Sequence, residues 1–123
     1  MAASISRVPA AMGKTNPPFM TGVPELLVLR LLSQREMYGY ELVKSVRVVT
    51  SEAISLGEGV IYPVLHGLEK AGALTAKRKP VNGRTRVYYE VTPLGRERLE
   101  RLNSDWDRIS AGVDSALGEA GRV

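Results

Sequence analysis

The sequence of 123 residues contains no cysteine and a single histidine, His66. Without cysteine there is no disulfide framework, thiol nucleophile, thiolate zinc site or iron–sulfur cluster. One histidine argues against a histidine-based metal site within one chain, so we expect neither a metal nor another cofactor. The sequence also shows no paired-carboxylate site, glycine-rich phosphate loop or nucleophile–base pair, and we therefore expect the protein not to be an enzyme.

Long apolar segments are missing as well. No run approaches the roughly 20 apolar residues that a bilayer-spanning helix needs, so no membrane association is predicted. The first 20 residues carry Arg7 and Lys14 but no apolar segment typical of a secretory signal, and we expect a cytoplasmic protein. Hydrophobic residues make up 44% of the chain and charged residues 24%, which is typical of one globular domain with or without a tail.

Positive charge is concentrated in the middle of the chain, although the net charge is only +4. Residues 21–92 hold ten basic and seven acidic residues, whereas residues 93–123 hold five basic and six acidic ones. Six basic residues of the middle block follow one another with no acidic residue between them: Lys70, Lys77, Arg78, Lys79, Arg84 and Arg86. Such a concentrated stripe is what binding to nucleic-acid phosphates requires.

Three short helices are predicted in the first half of the globular region. Residues 21–33 have a capping signal, then Pro24, then apolar side chains on nearly every side, which favours a buried helix over the competing buried strand. Since a domain of roughly 100 residues cannot easily cover such a helix alone, we expect part of it to contact a second subunit. Residues 38–51 and 58–71 repeat apolar side chains at helical spacing. Pro63 is harmless only in a first turn, which places the start of the third helix near Gly59.

A β-hairpin is predicted from residues 74–80 and 85–91. The Asn82-Gly83 pair between them is a strong hairpin signal, because both positions tolerate a positive φ angle. Strand alternation would place Arg84, Arg86 and Tyr88 on one face of the second strand. The opposite face would then carry Thr85, Val87 and Tyr89.

The last predicted element is a long helix that begins at Thr92-Pro93, a capping threonine followed by an N1 proline. Its apolar residues recur in steps of three and four at Leu99, Leu102, Trp106, Ile109, Val113 and Ala116. This seam indicates a helical partner, most simply the same helix of a second chain. We divide the chain into a flexible N-terminal tail (1–20), a DNA-binding domain (21–92), a dimerisation helix (93–117) and a frayed tail (118–123).

The order of helix, helix, helix, hairpin and long helix predicts a mainly α fold with a small β-hairpin. It corresponds to a winged helix-turn-helix followed by a long C-terminal dimerisation helix. The third helix takes the recognition position, in which a helix about 10 Å across enters the major groove of DNA. The hairpin is the wing, whose basic residues would lie beside the DNA backbone or in the minor groove.

Four ordered motifs carry a family resemblance: YGYEL at 38–42, GVIYPVL at 59–65, LEKAG at 68–72 and GRTRVYYEVT at 83–92. With them, residues 21–117 resemble the PadR family of transcriptional regulators. The resemblance implies a homodimeric winged-helix regulator, usually a repressor, and the single short C-terminal helix is similar to the smaller branch of the family. Gly67 and Val87 stand where basic residues are common in that family, which implies a lower local positive charge.

Candidate DNA-contacting residues lie on the second helix, before and on the third helix, and on the hairpin. They are Lys44, Ser55, Gly59, Val60, Tyr62, His66, Lys77, Arg78, Arg84 and Arg86. The resemblance implies that the Tyr62 hydroxyl contacts a phosphate, although a packing role is the alternative. Base edges would fall to residues at the start and outer face of the third helix. Arg84 and Arg86 are the first candidates on the wing, whose positive charge could instead be a solvated edge that discourages strand aggregation.

A second candidate site combines the first and last helices. The predicted dimer interface and candidate effector pocket comprise Leu26, Leu29, Leu99, Leu102, Trp106, Ile109 and Val113. Trp106 is either an aromatic residue of the dimer core or a wall of an effector pocket. In the second case two copies of Trp106 would hold a flat aromatic small molecule, as the resemblance to small relatives implies.

These observations favour a sequence-specific DNA-binding repressor. A homodimer would place two recognition helices about 34 Å apart on a pseudo-palindromic operator in double-stranded DNA. A small-molecule effector would release it. The alternative is a winged-helix protein-interaction module whose basic wing binds an acidic protein partner, which predicts no operator footprint and tolerance of Tyr62→Phe.

Overall fold

The computed structural model describes residues 17–118, so residues 1–16 and 119–123 of the two predicted tails lie outside the described residues. The helices are α1 (Val23–Gln34), α2 (Gly39–Val49), α3 (Glu58–Lys70) and α4 (Pro93–Leu117), preceded by a single 3₁₀ turn at Pro18–Met20. The strands are β1 (Met37–Tyr38), β2 (Leu74–Val81) and β3 (Arg84–Val91). This order confirms the predicted mainly α winged-helix fold with a long C-terminal helix.

The core is built by α1, α2, α3 and the base of the sheet. Leu42, Leu56, Ile61, Leu65 and Leu74 are all fully buried there or nearly so. No polar or charged side chain is buried among residues 17–118, so the core contains only apolar contacts. Burial of these side chains therefore supplies most of the driving force that holds the three helices together.

The single chain covers most of α1 by itself. Its buried residues include Val28, Leu31 and Leu32, while Arg30 faces solvent. Leu29, expected at a dimer interface, has 0% exposure and packs in its own core. The expectation for Leu29 is wrong because α2, α3, β3 and α4 together surround α1 more completely than its apolar pattern suggested.

A third strand, β1, was not predicted. It pairs antiparallel with β3, with Met37 opposite Tyr89 and Tyr38 opposite Tyr88, so the sheet order is β1-β3-β2. A strand of two residues is too short to show alternation in the sequence. Its effect is to connect the wing to the start of α2, since Tyr38 is also the N-cap residue of that helix.

The hairpin turn has the predicted geometry. Asn82 and Gly83 have φ angles of 50° and 78°, and Val81 pairs with Arg84 across the two-residue turn. Two positive φ angles are what a type I′ turn requires. The residue pairs along β2 and β3 confirm that Arg84, Arg86 and Tyr88 share one face and Thr85, Val87 and Tyr89 the other.

Helix α3 begins at Glu58, close to the predicted start, but Pro63 lies inside the helix rather than in its first turn. Proline has no N–H, so the carbonyl of Gly59, four residues earlier, has no helical donor. Gly59 and Pro63 are both exposed. The helix tolerates the proline because the Gly59 carbonyl that it leaves without a donor lies at the surface, where water can hydrogen-bond to it.

The start of α4 is attached to the end of α3. The Thr92 hydroxyl accepts a hydrogen bond from the Gly95 N–H at 3.0 Å and donates one to the Gly72 carbonyl at 2.6 Å. This confirms the predicted capping role of Thr92. The Arg98 guanidinium also forms an ion pair with Glu25 on α1, so the first half of α4 is fixed against the core. None of the helices in residues 17–118 is long and apolar enough to cross a membrane.

Candidate nucleic-acid interface

A cleft of about 400 Å³ separates α3 from the wing, and we call it the α3–wing cleft. Helix α3 contributes Tyr62 and His66, and β3 and the start of α2 contribute the remaining walls. Those remaining residues are Tyr38, Gly39, Thr85, Arg86, Val87 and Tyr89. The fold thus brings together three of the predicted DNA-contacting residues, Tyr62, His66 and Arg86.

Tyr62 packs directly on the backbone of Gly39. A Cβ atom added at Gly39 would lie 2.5 Å from the Cε1, Cζ and hydroxyl oxygen of Tyr62, which is too close for any side chain. The Tyr62 ring is half-buried and its centroid lies 6.3 Å from that of His66. Tyr62 therefore has a packing role, and its ring also lines the cleft. The glycine of the YGYEL motif makes this position available to it.

Arg86 borders the cleft on the wing side, and its half-buried side chain lies on the sheet face opposite that of Val87 and Tyr89. The guanidinium carbon lies 4.2 Å from the centroid of the Tyr38 ring, a stacking distance. Within residues 17–118 the Arg86 side chain forms no ion pair and donates no hydrogen bond. Since a guanidinium carries five N–H donors, Arg86 can bind an anion with its full donor capacity.

Two cations of the basic stripe are already paired with acidic residues from elsewhere in the chain. The Lys77 ammonium lies 3.0 Å from the Glu90 carboxylate, and the Lys79 ammonium hydrogen-bonds to Glu36. The hydrogen bond to Glu90 raises the pKa of Lys77, and the hydrogen bond from Lys79 lowers the pKa of Glu36. These pairs reduce the charge that the wing presents to an anion.

Arg78 and Arg84 form no ion pair among the described residues and are both exposed. They point to opposite faces of the hairpin, because Arg78 pairs with Val87 and Arg84 pairs with Val81. Arg78 shares its face with buried Tyr89, whose pKa is raised by burial. Together with Arg86, these two residues carry the positive charge of the wing that is not paired within the described residues.

The other predicted DNA-contacting residues lie outside the cleft. Lys44 is exposed on α2, with its ammonium 5.2 Å from the Tyr40 ring centroid, and Ser55 is exposed in the loop before α3. Gly59 is exposed at the start of α3, whereas Val60 is half-buried against the core. No group of three or more metal-ligating side chains is found in the described part of the chain.

Sequence reasoning missed five of the residues that line the cleft. Tyr38 and Gly39 were assigned only to a motif, and Tyr89 only to packing. Thr85 and Val87 were placed on a strand face without a DNA contact. The Tyr-Gly pair and the strand alternation were visible signals, but only the tertiary packing of α3 on Gly39 shows that they meet.

An apolar surface covers the second half of α4, and we call it the α4 apolar face. It comprises Phe19, Trp106, Ile109, Val113 and Leu117, which surround a hollow of about 550 Å³. Phe19 is 82% exposed, Trp106 48% and Ile109 50%. Leu99 and Leu102, in the first half of the predicted seam, instead pack against the core of their own chain. The role of Phe19 in this face was not predicted, because residues 1–20 were expected to form a flexible tail.

The ion pair between Glu36 and Lys79 should make the stability of the protein depend on pH. Because the folded-state pKa of Glu36 is lowered, its contribution to stability is complete above the unfolded pKa of about 4.3 and is lost as the pH falls through the folded pKa. We expect wild type to be more stable than Glu36→Gln at neutral pH and the difference to disappear in acid, as measured by urea unfolding. Glu97→Gln, at an exposed residue with no ion pair among residues 17–118, should show no such dependence. An equal, pH-independent loss in both variants would contradict the pairing.

The sequence is similar to a known family and to known proteins. The PadR-like family of transcriptional regulators matches residues 28–101. A protein of Lysinibacillus sphaericus is 30% identical over 89 residues, covering 72% of this chain and 82% of its own length. The transcriptional regulator Rv3488 of Mycobacterium tuberculosis is 31% identical over 81 residues, covering 66% of this chain and 73% of its own.

Solved structures agree with the sequence comparisons. A PadR-like transcriptional regulator from Bacillus cereus superimposes with a TM-score of 0.71 at 33% identity, over 84% of this chain and 100% of that one. A PadR family transcription regulator from Clostridium difficile superimposes with a TM-score of 0.67 at 27% identity, over 79% of this chain and 100% of that one. From its sequence match and its fold, the chain belongs to the PadR-like family of transcriptional regulators.

Proposed function

We propose that the protein is a DNA-binding repressor in which the α3–wing cleft holds the DNA backbone. The observation that carries this proposal is the convergence of Tyr62, His66 and Arg86 on one cleft, with the donors of Arg86 available. Phosphate contacts by arginine, tyrosine and other donors fix the register of a protein on a duplex. A phosphate seated beside α3 would place the start of that helix at the adjacent major groove.

The outer face of α3 is suited to close approach. Gly59 and Gly67 are exposed, and a Cβ atom added at either would have no neighbour within 4 Å. Small residues on this face would let the helix lie deep in the groove. Base recognition would then depend on few side chains, chiefly the exposed His66 and Ser55, together with the free carbonyl of Gly59.

A second copy of this chain is the proposed occupant of the α4 apolar face. Four side chains at steps of three and four, from Trp106 to Leu117, are left largely exposed on one side of a helix. A contiguous apolar surface of this kind marks an interaction site in a soluble protein. A two-fold symmetric contact between the two α4 helices would cover it and separate two α3 helices by one turn of DNA.

The hollow beside Trp106 is the proposed effector site. In a dimer the two copies of Trp106 would form opposite walls for a flat aromatic molecule. An effector that prefers a different spacing of the two subunits would release DNA by a population shift, and a tenfold release needs only about 1.4 kcal/mol of coupling. Quenching of Trp106 fluorescence by flat aromatic compounds would support this site, and no quenching across a diverse set would contradict it.

Because some cations of the wing are paired and others are not, two substitutions that each remove one positive charge should change the salt dependence of DNA binding to different extents. Arg84→Gln should make the slope of the logarithm of the DNA-binding constant against the logarithm of salt concentration shallower by about one, as expected for one lost phosphate contact. Lys77→Gln, which removes a cation already paired with Glu90, should change the slope clearly less. Fluorescence anisotropy on a labelled duplex at four salt concentrations provides the measurement. Equal changes in both variants would show that the pairing does not matter for binding.

Selection of bound sequences from random double-stranded DNA tests the proposed function. We expect an enriched, two-fold symmetric sequence with half-sites one helical turn apart, about 10 base pairs. Placed over a promoter, the selected sequence should lower reporter expression when the protein is present. Failure to enrich any sequence would contradict specific DNA binding, and increased expression would contradict repression.

A further inference from the structure

Four aromatic and cationic side chains form a connected stack at the junction of β1 and the wing. The Arg86 guanidinium lies over the Tyr38 ring at 4.2 Å, and the Tyr38 ring meets the Tyr88 ring edge-on with 5.5 Å between centroids. The Lys79 ammonium lies 4.9 Å from the Tyr88 ring centroid. All four residues lie on one face of the sheet, because Lys79 pairs with Arg86 and Tyr38 pairs with Tyr88.

The two cations of this stack differ in whether their charge and N–H donors remain available to an anion. Lys79 is bound to the Glu36 carboxylate, so its charge is neutralised within the chain. Arg86 is held only through the face of its guanidinium, and a stacked guanidinium keeps its N–H groups in the plane of the ion, where they can meet a phosphate. The stack therefore fixes Arg86 in place without using the donors that bind an anion.

The Tyr38 ring is itself held in place. Its backbone pairs with β3, and it is the extended N-cap residue of α2, where its side chain makes no capping hydrogen bond. The next residue, Gly39, is the one on which Tyr62 packs. The backbone of residues 38–39 thus connects the residue that supports Arg86 with the residue on which Tyr62 packs.

We propose that Tyr38 is a positioning residue for DNA binding, which holds the Arg86 guanidinium ready beside the α3–wing cleft so that a phosphate meets an already ordered donor. This inference rests on the proposed function, and it adds a role for a residue outside α3 and the wing. Ordering a long side chain before binding lowers the entropy lost on association. Tyr38 acts through Arg86, so its contribution depends on Arg86 being present.

A double-mutant cycle with Tyr38→Leu and Arg86→Ala tests this dependence. Leucine keeps an apolar side chain at position 38 but has no aromatic face. We expect Tyr38→Leu to weaken binding of the selected duplex about fivefold, within the range of a partly exposed cation–π contact. In the Arg86→Ala background the same substitution should have no further effect, and Tyr38→Phe, which keeps the ring, should bind within about twofold of wild type.

The outcomes separate this inference from the proposed function. If Tyr38→Leu has no effect, or weakens binding equally with and without Arg86, then Tyr38 does not act through Arg86 and the inference is overturned while the proposed function stands. Wild-type protein that binds no duplex would overturn both. Should Tyr38→Leu not fold, proton NMR of wild type decides the point: ring-current shifts of the Arg86 side-chain protons are expected, and random-coil shifts would overturn the stack.

Discussion

Ile109→Asp is expected to convert the protein to a monomer and to lower operator affinity by about 100-fold or more. Ile109 lies in the middle of the α4 apolar face and is half-exposed in the single chain, so an aspartate there does not disturb the core. In the proposed dimer the same position is covered, and an unpaired buried charge is strongly unfavourable. Loss of the second recognition helix removes the gain in affinity that two linked contacts provide.

Sedimentation at micromolar concentration and duplex titration together check this result. Ser104→Asp is the matched control, because it adds the same charge to α4 at an exposed position outside the apolar face. The control should remain dimeric and bind the operator normally. An Ile109→Asp protein that stays dimeric, or a monomer that binds as tightly as wild type, would contradict the proposed interface.

Gly95→Ala is expected to destabilise the protein by about 3 kcal/mol, the upper end of the usual range for overpacking. A Cβ atom at Gly95 would lie 2.2 Å from the Ala73 carbonyl oxygen and 2.9 Å from a methyl group of Val91. The Ala73 carbonyl is backbone, and it also accepts a hydrogen bond from the Thr92 N–H at 3.0 Å, so it cannot move freely. Helix propensity alone predicts the opposite sign, a gain of up to about 1 kcal/mol.

The control for Gly95 is Gly67→Ala on α3. A Cβ atom there would have no neighbour within 4 Å, so helix propensity should dominate and the variant should be more stable than wild type. Urea unfolding of all three proteins at one fixed concentration measures both effects. A Gly95→Ala protein as stable as wild type would contradict the close contact between α4 and the segment that follows α3.

The elements of the fold were predictable because their signals are local. The Asn82-Gly83 turn and the Thr92-Pro93 helix start each depend on the conformational preferences of two adjacent residues. The pair of Glu36 with Lys79 was not predictable in this way. Lys79 and Glu36 lie 43 residues apart in the chain, and only β1, a strand of two residues, leads from Glu36 back to the wing.

The spacing of apolar residues shows which face of a helix is buried, but it does not show which part of the protein covers that face. Leu29 and Ile109 both follow helical spacing, yet Leu29 is covered by its own chain while Ile109 is left half-exposed. Phe19 belongs to the α4 apolar face although no sequence pattern indicates it, because a single aromatic residue in a proline-rich segment has no apolar periodicity. The position of Tyr62 likewise depends on a contact with Gly39 at the start of the preceding helix, which residue spacing does not encode.

Hydroxyl-radical footprinting of wild-type protein on the selected duplex tests the placement of α3 in DNA most directly. We expect two protected windows on the same side of the double helix, about 10 base pairs apart and related by the symmetry of the sequence. Equal cleavage along the whole duplex in dilute buffer, with the protein folded and in excess, would contradict the account. A single protected window would leave no place for the second α3 helix and would contradict the dimer.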